Sequence, residues 1–304
     1  MFEPAVVVLR LLQYAGAVVL MGSPLFFLYA LPAPPPWGRP LVAGAGALLA
    51  LAALLSIPAQ AGALTGSLAE GLKPEALTAV ATGMDLGKAA LVRALAAALA
   101  VVLVLSLEPS RGSWILAAGL GATATASLAW MGHGAATEGP AGLVHLASDI
   151  VHSWAAAIWV GALVAFLLLL LAPARTAGAT AALHRALQGF SGVGAGCVAV
   201  LVLTGLMNSA ILVGWEAIAG LWTTPYGRLL SLKVALFAAM LGLAAANRYR
   251  FTPALASALE APLAAQGAAL GALRRSVVAE TVMGVGVLAL VAWFGTLPPP
   301  AAMP

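Results

Sequence analysis

HSWAAAIWVGALVAFLLLLL, residues 152–171, runs for twenty positions without a charged side chain. At about 1.5 Å per residue a helix of that length covers roughly 30 Å, the hydrocarbon thickness of a bilayer. The stretch reads as a membrane-spanning helix, and most of the chain reads the same way. Of 304 residues, 62% are hydrophobic and 8% charged, with a mean hydropathy of +1.04, whereas a soluble domain carries about 25% charged residues. Eight segments qualify as spans, at about 5–31, 41–63, 88–107, 113–131, 142–171, 188–213, 226–246 and 275–296. In lipid the backbone polar groups must be satisfied within each span, so helices are expected and open sheet is excluded. The expected fold is an all-α integral membrane protein of eight transmembrane helices, forming a single domain over 1–304.

The first segment opens Met1-Phe2-Glu3-Pro4 with no basic n-region and is too long for a signal-peptide core, so it is expected to be retained. Cys197 is the lone cysteine and sits inside the sixth span, which leaves packing as its role. The net charge of +4 does not point to nucleic acid, because the basic residues are spread over loops and helix ends. Arg39, Arg111, Arg175, Arg185, Arg248, Arg250, Arg274 and Arg275 fall beside the loops after spans one, three, five and seven. Glu70, Glu75, Asp85, Glu138 and Glu216 fall on the other side. The positive-inside bias then puts both termini outside. The connections 64–87 and 247–274 read as short surface helices. Gly87-Lys88 with Arg93 is echoed 140 residues later by Gly227-Arg228 with Lys233, the signature expected of a parallel 4+4 repeat.

Chemistry concentrates just before the quoted span. Three of the chain's four histidines, His133, His145 and His152, stand with Asp149 at one membrane edge. On a helix, offsets of four and seven return to one face, so His145, Asp149, His152 and Trp159 form one stripe. Ionisable groups at such depth are costly and usually mark an ion path. His145 and His152 lie about 10 Å apart along the axis, too far to share one ion through bonds of about 2 Å. The pattern reads as a ladder in which Asp149 pairs with either imidazole as ligand or as tautomer-fixing partner. The alternative is an interfacial hydrogen-bond cluster. His133, between Gly132 and Gly134, can fold back over this face.

Imidazole suits copper and zinc, and thioether suits Cu(I). Met131 and Met207 are therefore candidate path residues, although a methionine in a span is ordinarily packing. Asn208 and Glu280, polar groups inside spans, are further candidates; Glu280 is expected to pair with Arg274, Arg275 or Arg248, or to stop a proton or cation. Arg10, Arg93 and Lys233 lie near outer helix ends and are expected either to snorkel or to act as polar partners.

The strings HLASDIVHSWAAAIWVGAL, LTGLMNSAIL, TTPYGRLLSLKVALF, AANRY and LRRSVVAET occur in that order in the second half. In these the chain resembles the CopD family of bacterial copper-resistance and copper-uptake membrane proteins. The specific motifs lie within 130–296, and the first half matches only in hydropathy and in GKAALVRA. The resemblance implies an eight-helix protein of the bacterial inner membrane that moves copper, Cu(I) or Cu(II), beside a periplasmic CopC-type copper chaperone. It points to His133, His145, Asp149 and His152 as ligands.

The leading expectation is a copper permease that captures the ion outside and conducts it inward between helices. No nucleotide-binding motif is present, and no enzymatic activity is expected. Two other readings stand beside it. One is a haem-binding redox protein, with His133 or His184 opposite the fifth helix and Arg10, Arg93 or Lys233 at the propionates. The other is an assembly factor that holds copper without transporting it.

Overall fold

The computed structural model describes residues 3–135, 137, 139–172, 177–214, 218–259 and 263–302. Arg175, Glu138 and Glu216, part of the charge asymmetry, lie outside the described residues. Among those described there is no strand. Eight helices are long and apolar enough to cross a membrane: Pro4–Ala30, Gly38–Thr65, Asp85–Ser106, Arg111–Met131, Ala141–Leu171, Gly178–Leu212, Pro225–Leu259 and Ala265–Phe294. All eight match the expected spans. The sixth and eighth begin about ten residues earlier than hydropathy suggests, because Ala- and Gly-rich turns ahead of His184-Arg185 and Arg274-Arg275 continue the same helix. The seventh runs through a π-helical turn, Asn247–Phe251, into Thr252–Leu259. The connection 64–87 contains two short helices, Leu68–Gly71 and Pro74–Thr78.

The first and fifth helices form the spine. The first packs on the second, fourth, fifth and eighth, and the fifth also on the sixth. Small residues make the crossing close: a Cβ at Gly22 would strike the Ala157 carbonyl, and one at Gly161 would reach the Val18 carbonyl at 2.5 Å. In lipid, such backbone approach and interhelical hydrogen bonds do the work that apolar burial does in water. Ser23 Oγ donates to the Gly161 carbonyl at 3.0 Å and Trp154 Nε1 to the Ala122 carbonyl at 2.9 Å, tying the fifth helix to the first and fourth. Leucines and valines such as Leu51, Leu95, Val102, Leu203 and Val234 face outward, as a lipid-solvated surface requires. The sixth and seventh helices flank the bundle, with only 17% and 11% of their apolar windows buried.

The expected snorkelling does not occur at Arg93. Its guanidinium is buried, donating to Ser127 Oγ and the Ser127 carbonyl at 3.0 and 2.7 Å and to Gln13, with the Met131 sulfur 3.9 Å away. These partners make burial tolerable and brace the first, third and fourth helices. Arg39 caps the third helix through the Val104 and Leu105 carbonyls. The sequence echo has a local counterpart: at both Gly87 and Gly227 a Cβ would strike the carbonyl seven residues upstream, of Val80 and Gly220. The likeness is confined to these turns, and a 4+4 repeat of whole halves is not established by it.

Candidate functional site

His145, Asp149 and His152 do share one face of the fifth helix, and that face borders a cavity of ≈ 160 Å³ near the end of the bundle that carries His133. All four line it, together with Arg10, Lys233, Asn208 and Tyr226. The chain reaches this arrangement in two ways. Pro140 and the turn at Gly139 start the fifth helix, whose third and fourth turns meet the sixth where Ser148 and His152 contact Thr204. The fourth helix ends in a 3₁₀ turn, Ser127–Met131, after which the chain folds back. Gly134 then lies against Asp149, where any side chain would come within 2.6 Å of the carboxylate.

Each imidazole has a neighbour that fixes it. His152 Nδ1 lies 2.8 Å from Thr204 Oγ1, and that hydroxyl lies 2.6 Å from the Val200 carbonyl. A hydroxyl carries one proton. Thr204 gives it to Val200, so its oxygen accepts from the His152 Nδ1–H and leaves Nε2 with a free lone pair. His145, 1% exposed, places Nδ1 2.8 Å from Thr137 Oγ1. His133 meets the Tyr226 ring edge to face, at 5.8 Å between centroids. Burial pushes its imidazole below the ordinary value; the Arg10 guanidinium adds to this, and a hydrogen bond with the Leu297 backbone opposes it. His133 is therefore a neutral, ligand-competent imidazole at neutral pH. Asp149 takes a long hydrogen bond of 3.5 Å from Asn208 Nδ2, and Asn208 Oδ1 is buried without a partner.

These donors line a wall without converging. Among the described residues no three His, Cys, Asp or Glu side chains stand close enough to hold one metal ion. The volume suits an ion with a few waters and falls below the roughly 300–1,000 Å³ of pockets that take drug-sized ligands, so it offers no support for a porphyrin. His184, the other axial candidate, lines a different cavity with Arg248 and Tyr249.

Two further cavities continue along the same helices. One of ≈ 250 Å³ shares His152, Gly205 and Lys233 with the first and is otherwise mostly apolar, with Trp159 and Met240 on its wall. The next, of ≈ 280 Å³, shares Trp159 and reaches Glu280, Asn247 and Arg248. Glu280 is buried and accepts from Trp159 Nε1 at 3.0 Å and Asn247 Nδ2 at 2.8 Å. The arginine pairing expected for it is absent among the described residues. Arg274 and Arg275 are exposed on other faces of the eighth helix, and Arg248 donates to the Ser191 carbonyl and lies over Tyr249.

Met207 is also displaced from its expected role, since it is exposed on the outward face of the sixth helix. Thr204, Gly205, Asn208 and Ser209 occupy the opposite face, one turn apart. Met240, buried on the second cavity, is the thioether that lines this run of cavities. Met131 contacts Arg93 instead of the histidine cavity. Sequence reasoning passed over Thr204 and Tyr226, and among the span methionines it singled out Met207 rather than Met240. The Thr204–Asn208 spacing of four was the one local signal for the polar face of the sixth helix.

Residues 1–143 match the family model described as "Copper resistance protein D-like, N-terminal domain", and residues 184–294 match "Copper resistance protein D". The first half thus carries a family signal well beyond its hydropathy. The stretch bearing His145, Asp149 and His152 falls between the two matched ranges. A curated relative, "Copper resistance protein D" of Pseudomonas syringae pv. tomato, is 37% identical over 310 residues, covering 98% of each chain. No solved structure matches.

Proposed function

This chain belongs to the copper resistance protein D family, and from that premise we propose that it carries copper ions across the bacterial inner membrane as a single transmembrane domain over 1–304. The observation that supports this best is the cavity on which His133, His145, Asp149 and His152 meet at one end of an otherwise apolar bundle. Both termini and that cavity face outward in this reading. A periplasmic CopC-type chaperone delivers the ion.

His133 and His145 offer neutral imidazoles at the mouth. Asp149 and His152, one and two turns deeper, take the ion next, with His152 presenting Nε2 because Thr204 holds Nδ1–H. No three donors close around the ion, so each stage binds it loosely enough to release it, which conduction requires. Below His152 the path is lined by Trp159 and the Met240 thioether, a soft ligand that favours Cu(I) over zinc. Glu280 stands at the far cavity. Movement follows the gradient, the membrane potential or handover to an acceptor.

Purified protein in proteoliposomes tests this. Copper should bind, and its uptake should fall sharply in His152→Ala at equal protein content. A Soret band in the absorption spectrum would replace the reading with haem chemistry. Binding without uptake in the parent protein would replace it with an assembly factor that holds copper.

A further inference from the structure

The cavity at the histidine end brings two basic side chains, Arg10 and Lys233, to the wall of the site proposed for a cation. Arg10, 5% exposed, reaches it from the first helix. Its guanidinium lies against Gly295, where a Cβ would strike Nη2. No hydrogen bond or ion pair to Arg10 exists among the described residues, and its buried Nε has no partner. Lys233 enters from the seventh helix, its ammonium 5.8 Å from the centroid of the Phe294 ring, one residue from Gly295. Both cations thus lie at the same end of the eighth helix.

The described wall offers one carboxylate, Asp149, which takes the hydrogen bond from the Asn208 amide and interacts electrostatically with Lys233. The carbonyl end of the eighth helix adds about half a negative charge. Among the described lining residues Asp149 is the one carboxylate facing these two basic side chains, so the Arg10 guanidinium has no carboxylate of its own there, and Cu(I) or Cu(II) adds one or two more positive charges. Buried charge without a counter-charge is strongly disfavoured, most of all within a membrane. A guanidinium free along its Nε edge is a ready fork for an anion.

We propose that this cavity contains an anion subsite, in which a small monovalent anion of halide size is held between Arg10 and Lys233 beside Gly295. The volume accommodates a halide with a metal ion and excludes a large organic anion. The anion balances the unpartnered Arg10 guanidinium, with Lys233 as a second donor, and lets copper enter as a locally neutralised pair, with the halide available as a ligand to Cu(I). This deepens the copper reading of the same cavity, yet its first test does not depend on copper.

Metal-free protein in nanodiscs, with gluconate as the bulk anion, is titrated with chloride and followed by chloride NMR line broadening. The parent should broaden the line, Arg10→Gln and Lys233→Met should abolish the excess, and Arg10→Lys should keep part of it. Cu(I) retention against a chelator is then compared in chloride and gluconate at equal ionic strength. Retention should be about tenfold tighter in chloride for the parent, the scale of one charge-assisted contact, and anion-independent in Arg10→Gln. Broadening equal in the parent, Arg10→Gln and Lys233→Met overturns the subsite, as does copper retention that ignores chloride in the parent. Broadening that depends on Arg10, with no copper bound in either anion, upholds the subsite and sinks the copper reading. Should Arg10→Gln fail to give monodisperse protein, the Lys233→Met and Arg10→Lys comparison decides.

Discussion

His152 illustrates how much a single hydrogen bond decides. The ligand role proposed for it needs Nε2 unprotonated, and the tautomer depends on Thr204 accepting from Nδ1–H. Thr204→Val keeps the shape and removes the acceptor, so copper affinity should fall about 10–100-fold, the usual cost of losing a partner that orients a ligating imidazole. Thr204→Ser should restore most of it; equal affinities in all three would detach Thr204 from the site. His145→Ala should weaken capture in a way that higher copper overcomes. The same concentrations should leave His152→Ala impaired. His133 supplies the pH dependence. Burial, then Arg10, holds its pKa below the ordinary value of about 6.5, so it stays neutral as the pH falls through that value. Below it, the unfolded chain takes up the proton first, and the stability contributed by the neutral imidazole is lost as pH falls further. Copper capture should therefore hold from pH 8 through 6.5 and decline only in more acid solution, below the lowered His133 value. Arg10→Gln removes the second cause, and the decline should begin at higher pH, measured as bound copper against pH.

At the scale of elements, the approach of the first and fifth helices at Gly22 and Gly161 places the histidine face. Gly22→Val would press a side chain into the Ala157 carbonyl. Overpacking of this kind costs about 1–3 kcal/mol, so thermal stability in detergent should fall, and copper binding should weaken as the helices separate. Gly44 has open space around it on the second helix, and Gly44→Ala should be neutral or stabilising by up to about 1 kcal/mol. Comparison of the two melting temperatures checks this; an equal response would mean that the crossing is not tightly packed. The helices themselves were legible from hydropathy, since lipid permits few alternatives for a 20-residue apolar run. Their ends were less legible. The first turns of the sixth and eighth helices are Ala- and Gly-rich and are cut off from the apolar run by His184-Arg185 and Arg274-Arg275, yet the helix keeps its backbone hydrogen bonds through them.

For the whole molecule, the run of cavities makes Glu280 and the histidines separate stations linked by an apolar middle. Sites this far apart with no shared partner behave independently. Glu280→Gln should lower copper uptake while leaving copper binding at the histidine end near the parent value, and unchanged uptake per folded molecule would remove Glu280 from the path. Orientation is testable in a Cys197→Ser background: a cysteine at exposed Ser257 should be protected from membrane-impermeant reagent in whole cells, and one at Glu75 should react. The reverse pattern would invert the proposed direction. The sequence by itself determined that this is an eight-helix membrane protein with its metal-type donors gathered at one edge, because uncharged runs and i, i+4, i+7 spacing are local properties that lipid and helix geometry convert directly into spans and faces. Only the tertiary structure decided which polar residues meet. It paired Glu280 with Trp159 and Asn247 and turned Met207 outward in favour of Met240. It locked Arg93 to Gln13 and Ser127, while setting Arg10 and Lys233 around the histidine cavity. Those outcomes depend on how each helix is rotated against its neighbours. In lipid that rotation is set by the fit of small residues and interhelical hydrogen bonds between distant parts of the chain, which no local pattern records.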